Sequence, residues 1–241
     1  MKTVQRGFSL LEGLISLFLF LLIVLFSLDC FLCLKKHFAE LKESETSNTA
    51  VYAALDRIRR DLFDAGLGLA EAMALQVLEG ISDEQGALVV LSKAEDLAIG
   101  DALYSGQQRI LCLDAKKIKR GQLIGIINAY GGEVHSVVSA DQNSFVIDSP
   151  LVSDYLLENT SVVLLRRISI FLDDTKGVIR RKVNASPAQP LLEDAASFEF
   201  EYIRDANLVR LDLALKVDEE KKYETTVFPK NTAMASILWE K

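Results

Sequence analysis

Few side chains in this 241-residue sequence stand at spacings that do chemistry. "CFLC" places Cys30 and Cys33 three residues apart, on one face of a helix. A redox pair needs a lowered thiol pKa, usually from a helix N-terminus, and these two stand mid-helix. Packing thiols are therefore the expected role, since free cysteine is among the most buried residue types. Cys112, in "ILCLD", reads as a core residue of a strand. Three cysteines with only His37 and His135 to join them make no zinc pattern. They are also too few and too unevenly placed for a disulfide scaffold. "DDTKG" (173–177) and "RDAN" (204–207) hold carboxylates, but calcium wants more oxygen ligands at a defined loop spacing, so both are expected to be solvated turns. Neither histidine has a visible Ser, Cys or carboxylate set, and no Gly-rich phosphate loop is present. No catalytic residue, metal ligand or cofactor is assigned, and the chain is expected not to be an enzyme.

Charge narrows the partners. With 27 Lys and Arg against 34 Asp and Glu, the formal net charge is −7, which argues against a non-specific nucleic-acid surface. "RIRR" (57–60) and "RRKV" (180–183) are basic, yet each is flanked by acids, so solvated faces or salt bridges are expected there.

One ionisable residue stands out by its place. From Phe8 to Leu28 the only ionisable side chain is Glu12, in a run long enough for a helix to cross a bilayer, which takes about 20 apolar residues. Lys2 and Arg6 precede it, so the positive-inside rule keeps the first seven residues in the cytoplasm and sends the bulk of the chain across. A secretory signal would have a shorter apolar core, about 7–15 residues, and Asp29 stands where a lipoprotein signal needs a small residue before Cys30. A plain anchor fits the length but leaves Glu12 unexplained. A carboxylate facing lipid costs up to about 2.5–3.5 kcal/mol at the bilayer centre, so such a residue is a functional candidate whose partner should be named.

"RGFSLLE" resembles the type III signal of type IV prepilins and type II secretion pseudopilins. Those carry a short basic leader ending in Gly, then Phe, then an apolar helix whose fifth residue is Glu. The resemblance implies cleavage between Gly7 and Phe8 by a prepilin peptidase, followed by N-methylation of Phe8. Glu12, the fifth residue from Phe8, would then be the assembly residue. The new amine of Phe8 and the Glu12 carboxylate are each costly alone in a low-dielectric medium, and each lowers the other's cost when paired. In an assembled filament the amine of one subunit can meet Glu12 of a neighbour. The implied partners are the prepilin peptidase, other minor pilins or pseudopilins with the major subunit, and an inner-membrane assembly platform. The implied place is the bacterial inner membrane, single-pass, with the globular part outside the cytoplasm, then the pilus or pseudopilus.

The elements that must present Glu12 can be read in outline. Up to Ala65 the chain has no proline, and Val51, Leu55, Ile58, Leu62 and Ala65 form an apolar stripe at helical spacing. One long helix is expected from Phe8 to about Ala65, stopped by Gly66, with a break or bend in "KESETSNTA" (42–50), where Ser, Thr and Asn lower helix propensity. A short helix around 70–79 should follow. Beyond it, 87–91, 109–113, 122–127, 134–138 and 144–148 are short apolar runs, and "RISIFL" (167–172), "SFEFEY" (197–202) and "VRLDLALKV" (209–217) alternate with period two. Such alternation predicts half-buried antiparallel strands over one core, with "DDTKG" and "RDAN" as hairpin turns. The predicted fold class is α+β: a long N-terminal helix, its first half transmembrane, packed on a mostly antiparallel sheet, as pilins have. The predicted organisation is a leader at 1–7, a transmembrane half at 8–28, an extramembrane half at 29–66 and a sheet domain at 67–241.

"LDRIRRDLFDAG" and "GVIRRKV…PLLEDAASFEFEY" are similar to segments of PilW-type minor pilins and J-type minor pseudopilins, and "VFPKN" (227–231) looks like their closing strand. Many major pilins carry a proline in the membrane half of the helix and are shorter, which favours a minor component here. The expected function is to prime or cap a type IV pilus. Alternatives are a minor pseudopilin of a type II secretion system and, in a different class, a membrane-anchored binding protein that never polymerises.

Overall fold

The computed structural model describes residues 10–113 and 115–233, with the side chains of 43 and 218–220 left aside. The chain divides into two compact units, Met1–Ala50 and Val51–Lys241. Helix α1 (Leu10–Phe63) runs from the first unit into the second. In the first unit its side chains are almost all exposed, and the apolar ones include Leu14, Phe18, Phe26 and Phe31. This one helix is long and apolar enough to cross a membrane. The break expected at 42–50 is not found: the helix continues through it. Thr46 and Thr49 donate their hydroxyls to the carbonyls of Lys42 and Glu45, both at 2.8 Å, so these side chains find acceptors on the helix itself instead of competing with it.

In the second unit the stripe does what its spacing predicts. Val51, Leu55, Ile58, Leu62 and Ala65 are all buried, in one core with strand residues. The helix ends at Phe63, three residues before Gly66. Gly66 has φ +72°, the left-handed conformation glycine adopts freely, and its N–H reaches Leu91 O at 2.8 Å. Helix α2 spans only Ala70–Ala74, half the expected length, because Gln76 turns left-handed at φ 57°.

Twelve strands follow among the described residues: β1 (Ile81–Glu84), β2 (Ala87–Leu97), β3 (Arg109–Leu111), β4 (Leu123–Asn128), β5 (Gly131–Ala140), β6 (Ser144–Ile147), β7 (Thr160–Asp173), β8 (Val178–Val183), β9 (Gln189–Leu192), β10 (Ala195–Ile203), β11 (Leu208–Leu215) and β12 (Asp218–Val227). All their pairings are antiparallel. The larger sheet is organised around β7. One edge of β7 pairs along β2, from Val162↔Leu97 to Ile170↔Leu88. Its other edge is shared: residues 160–165 pair with β4 and residues 168–173 with β8. The β4 branch continues through β5 and β6 to β3, and the β8 branch ends at β9. A separate three-stranded sheet has the order β10-β11-β12.

The expectation of one core needs correcting. Ile168 and Ile170 join the α1 stripe and the inner residues of β10–β12 (Phe198, Val209, Leu211, Leu213) in a first cluster. Val162 and Leu164 instead belong to a second cluster with Ile110, Ile124, Phe145 and Tyr155. Val163 and Leu165 face a third, under α2. A strand buried on both faces reads as a continuous apolar run, which is why "TSVVLL" (160–165) shows no alternation.

The two turns stand where expected. In 173–177 Gly177, at φ 65°, donates to Asp173 O at 2.7 Å. In 204–207 Asn207, at φ 49°, donates its backbone N–H to Arg204 O at 3.0 Å, and its side chain reaches Pro229 O at 2.9 Å. "VFPKN" is not the closing strand. That strand is β12, which ends at Val227, and Pro229, without an N–H, cannot extend the ladder.

Candidate functional site

Glu12 lies in α1, three residues into it counting from Leu10, and is exposed. Leu10, Leu11, Leu14 and Ile15 around it are exposed as well. From Leu10 to Leu28 no other ionisable residue occurs. A Cβ built on Gly13 would meet nothing within 4 Å, so the surface beside Glu12 is open. Gly7 and Phe8, the expected processing residues, lie outside the described residues. Chemically, the site is a carboxylate on an otherwise uncharged apolar helix surface. Placed in a low-dielectric medium, it calls for a cation and for hydrogen-bond donors brought by another group.

The arginines of the two basic runs find partners within the second unit. Asp61, 2% exposed, takes a two-point contact from Arg181, with Nε–Oδ2 at 2.5 Å and Nη2–Oδ1 at 2.9 Å. Arg57 approaches the same carboxylate at 3.8 Å. Arg59 donates to the Thr225 hydroxyl, Arg60 to Asp56 at 2.5 Å, and Arg180 to Asp173 at 2.8 Å. Asp61 and Arg181 thus join "RIRRD" on α1 to "RRKV" on β8, as salt bridges rather than as a basic track. The Thr175 hydroxyl and Arg180 together hold the Asp173 carboxyl below its usual range.

A second polar cluster went unseen in the sequence. His135 is 5% exposed, and the structure gives it the carboxylates and serine that its neighbourhood in sequence did not suggest. Its Nε2 lies 3.0 Å from Glu133 Oε2, and its Nδ1 lies 3.0 Å from Ser149 Oγ and 3.5 Å from Asp148 Oδ1. Glu133 also accepts the backbone N–H of Val152 (3.0 Å), that of Ser153 (2.9 Å) and the Tyr155 hydroxyl (2.9 Å). Burial pushes Glu133 up, but these two amides, Tyr155 and His135 outweigh it and hold the carboxyl below its ordinary value. Burial and the adjacent Glu133 carboxylate push the Tyr155 phenol far up. The acid–His–Ser order resembles a hydrolytic arrangement. However, the amides that could stabilise an oxyanion are committed to Glu133, and Asp148 puts negative charge beside Ser149. What the cluster does physically is anchor the 148–155 loop to β5. The i, i+2 spacing of Glu133 and His135 on one strand face was the available signal, but the residues that complete it arrive only through the β5–β6 hairpin.

Cys112 is 2% exposed, a core thiol as expected. Cys30 and Cys33 are not packing thiols within this chain: both are exposed on α1. A groove of about 680 Å³ is lined in part by Glu71, Asp96 and Glu158. All three carboxylates are exposed to solvent, and Asp96 already pairs with Lys93 at 3.1 Å.

No family model matches the chain, and no curated protein matches it. Among solved structures, the tailspike gp61 of Pseudomonas phage phi297 aligns at 20% identity with a TM-score of 0.27, covering 31% of this chain and 14% of that one. The Gp54 tailspike of Acinetobacter baumannii bacteriophage AP22, solved in complex with A. baumannii capsular saccharide, aligns at 18% identity with a TM-score of 0.27, covering 32% and 15%. The chain therefore spans about a seventh of the length of the tailspikes it matches, and likenesses this slight say nothing about what it does.

Proposed function

We propose that this chain is a minor pilin or pseudopilin subunit, cut between Gly7 and Phe8 by a prepilin peptidase and assembled through its N-terminal helix to prime or cap a type IV pilus. The observation that carries the reading is the exposed Glu12 carboxylate on a helix surface otherwise apolar from Leu10 to Leu28. The α+β outline agrees with it: an apolar N-terminal helix whose last turns pack into a mostly antiparallel sheet domain. In this reading the apolar part of α1 waits in the inner membrane with the sheet domain outside the cytoplasm. The subunit leaves the bilayer when Glu12 and the methylated amine of a neighbour's Phe8 neutralise one another. Its work is done by assembly rather than by catalysis.

The test is replacement of Glu12 by Leu, with Glu12→Gln beside it, in cells that carry the assembly machinery. Both variants should reach the membrane at normal levels, since removing a charge from an apolar helix lowers its insertion cost. Their amount in sheared filaments or tip complexes should fall at least about tenfold, the factor that about 1.4 kcal/mol of lost pairing gives. Normal incorporation of both variants would contradict the assigned role of Glu12.

A further inference from the structure

We infer that the segment "MASILWEK" (234–241), which lies outside the described residues, occupies a groove between α2 and the turn at 204–207, with Trp239 as its anchor. The second unit thereby covers its own groove.

The groove encloses about 550 Å³ and is framed by Met73, Gln76, Leu78, Tyr202, Arg204 and Thr232. Its walls are of the kinds an indole packs against. Met73 brings a thioether, Tyr202 a phenol ring and Arg204 a guanidinium. The guanidinium is held in place, with Arg204 Nη2 donating to Glu79 Oε2 at 2.8 Å. Along Gly80 the floor is bare backbone. A Cβ there would stand 2.8 Å from Thr232 Cγ2 and 3.0 Å from Met73 Sδ, so any side chain at this position would crowd that end of the groove.

The course of the chain identifies the occupant. Thr232 is part of the groove wall, and a short set of bonds fixes it there. Its hydroxyl reaches Asn207 Oδ1 at 2.6 Å, Asn207 Nδ2 donates to Pro229 O at 2.9 Å, and Asn231 Nδ2 donates to Phe63 O at 2.8 Å. The segment after Ala233 therefore starts at the rim. Trp239 follows Thr232 by seven residues, a reach of up to about 25 Å, ample for a return into the groove. Ile237, Leu238 and Trp239 are three consecutive large apolar residues, a run that water disfavours unless something covers it. Tethered this closely, the segment meets the groove at an effective concentration on the order of millimolar, ahead of a free peptide of like composition. Any partner that uses this groove must first displace Trp239, so the segment governs access to it.

Trp239 is the one tryptophan of the chain, so its fluorescence reads the claim directly. The experiment uses the full chain in lipid vesicles, with iodide as a quencher from water and brominated lipid as a quencher from the bilayer. The expected result is emission blue-shifted from that of a tryptophan amide in water, with little quenching by either agent. Arg204→Ala, at an exposed position, and Met73→Lys are each checked for an unchanged fold by circular dichroism. In both, iodide quenching should rise several-fold, toward that of the free amide. Three outcomes overturn the inference: a wild-type Trp239 that iodide quenches as strongly as the free amide, one that brominated lipid quenches, or one shielded from both that neither variant releases.

Discussion

Glu133 gathers four donors of three kinds: two backbone amides, a phenol and an imidazole. Its carboxyl is held below the usual value near 4.5, so the folded state binds the proton more weakly than the unfolded chain does. By linkage, its stabilisation is complete above about pH 4.5 and drains away as pH falls through the folded value. Unfolding of the wild-type chain measured between pH 3 and pH 6 should show stability falling toward the acid side. The Glu133→Gln variant, less stable at neutral pH by about 1–3 kcal/mol, should show a flatter profile over the same interval. A variant with the same slope as wild type would remove Glu133 from that titration. At this scale the sequence was only partly legible. Glu12 stood out because its surroundings are uniformly apolar, and Cys112 because it sits inside a strand pattern. The Glu133–His135 pair did not stand out, since Asp148, Ser149 and Tyr155 reach it through tertiary structure.

At the scale of elements, α1 and β8 are tied by one buried pair. Asp61 is 2% exposed and takes both contacts from Arg181, whose side chain is 11% exposed. Truncating one partner leaves the other charge buried, so Asp61→Ala should cost about 3–5 kcal/mol in equilibrium denaturation. Replacing both, Asp61→Leu with Arg181→Met, should recover most of that loss, because a well-packed apolar pair avoids the desolvation penalty. If the double variant is as unstable as the single one, the loss comes from packing rather than from the stranded charge. The elements were the most legible part of the sequence where one face is buried: the stripe Val51–Ala65 and Phe198, Val209, Leu211, Leu213 and Leu215 are buried as their periods require, while Phe200 and Tyr202 are half-buried against the same core and Val217 stands exposed beyond the end of β11. They were least legible where both faces are covered, as in the first half of β7, and where charged residues make a strand, as in β12, "DEEKKYETTV". Propensity also misjudged 42–50, because a threonine hydroxyl can return its hydrogen bond to the helix that carries it.

The whole molecule joins two surfaces of opposite kind. Its N-terminal stretch exposes apolar side chains that water does not favour, and its C-terminal unit has buried cores and strand edges that are short or charged, such as β1, β3 and β12. In the proposed reading that helix finds a second environment, first lipid and then other helices. Glu12 is the feature that makes the second step specific in this account. The division into an apolar helix and an antiparallel sheet unit could be read in advance because it depends on patterns dozens of residues long. The branching of the sheet around β7 into separate cores could not, because it depends on which strands meet.

The central claim, that the opening stretch is a processing signal followed by an assembly helix, is tested most directly by mass spectrometry of the N-terminal peptide from cells with an active prepilin peptidase. The account predicts a chain that starts at Phe8 with an N-methyl group and lacks residues 1–7. An intact start at Met1 in those cells would contradict it.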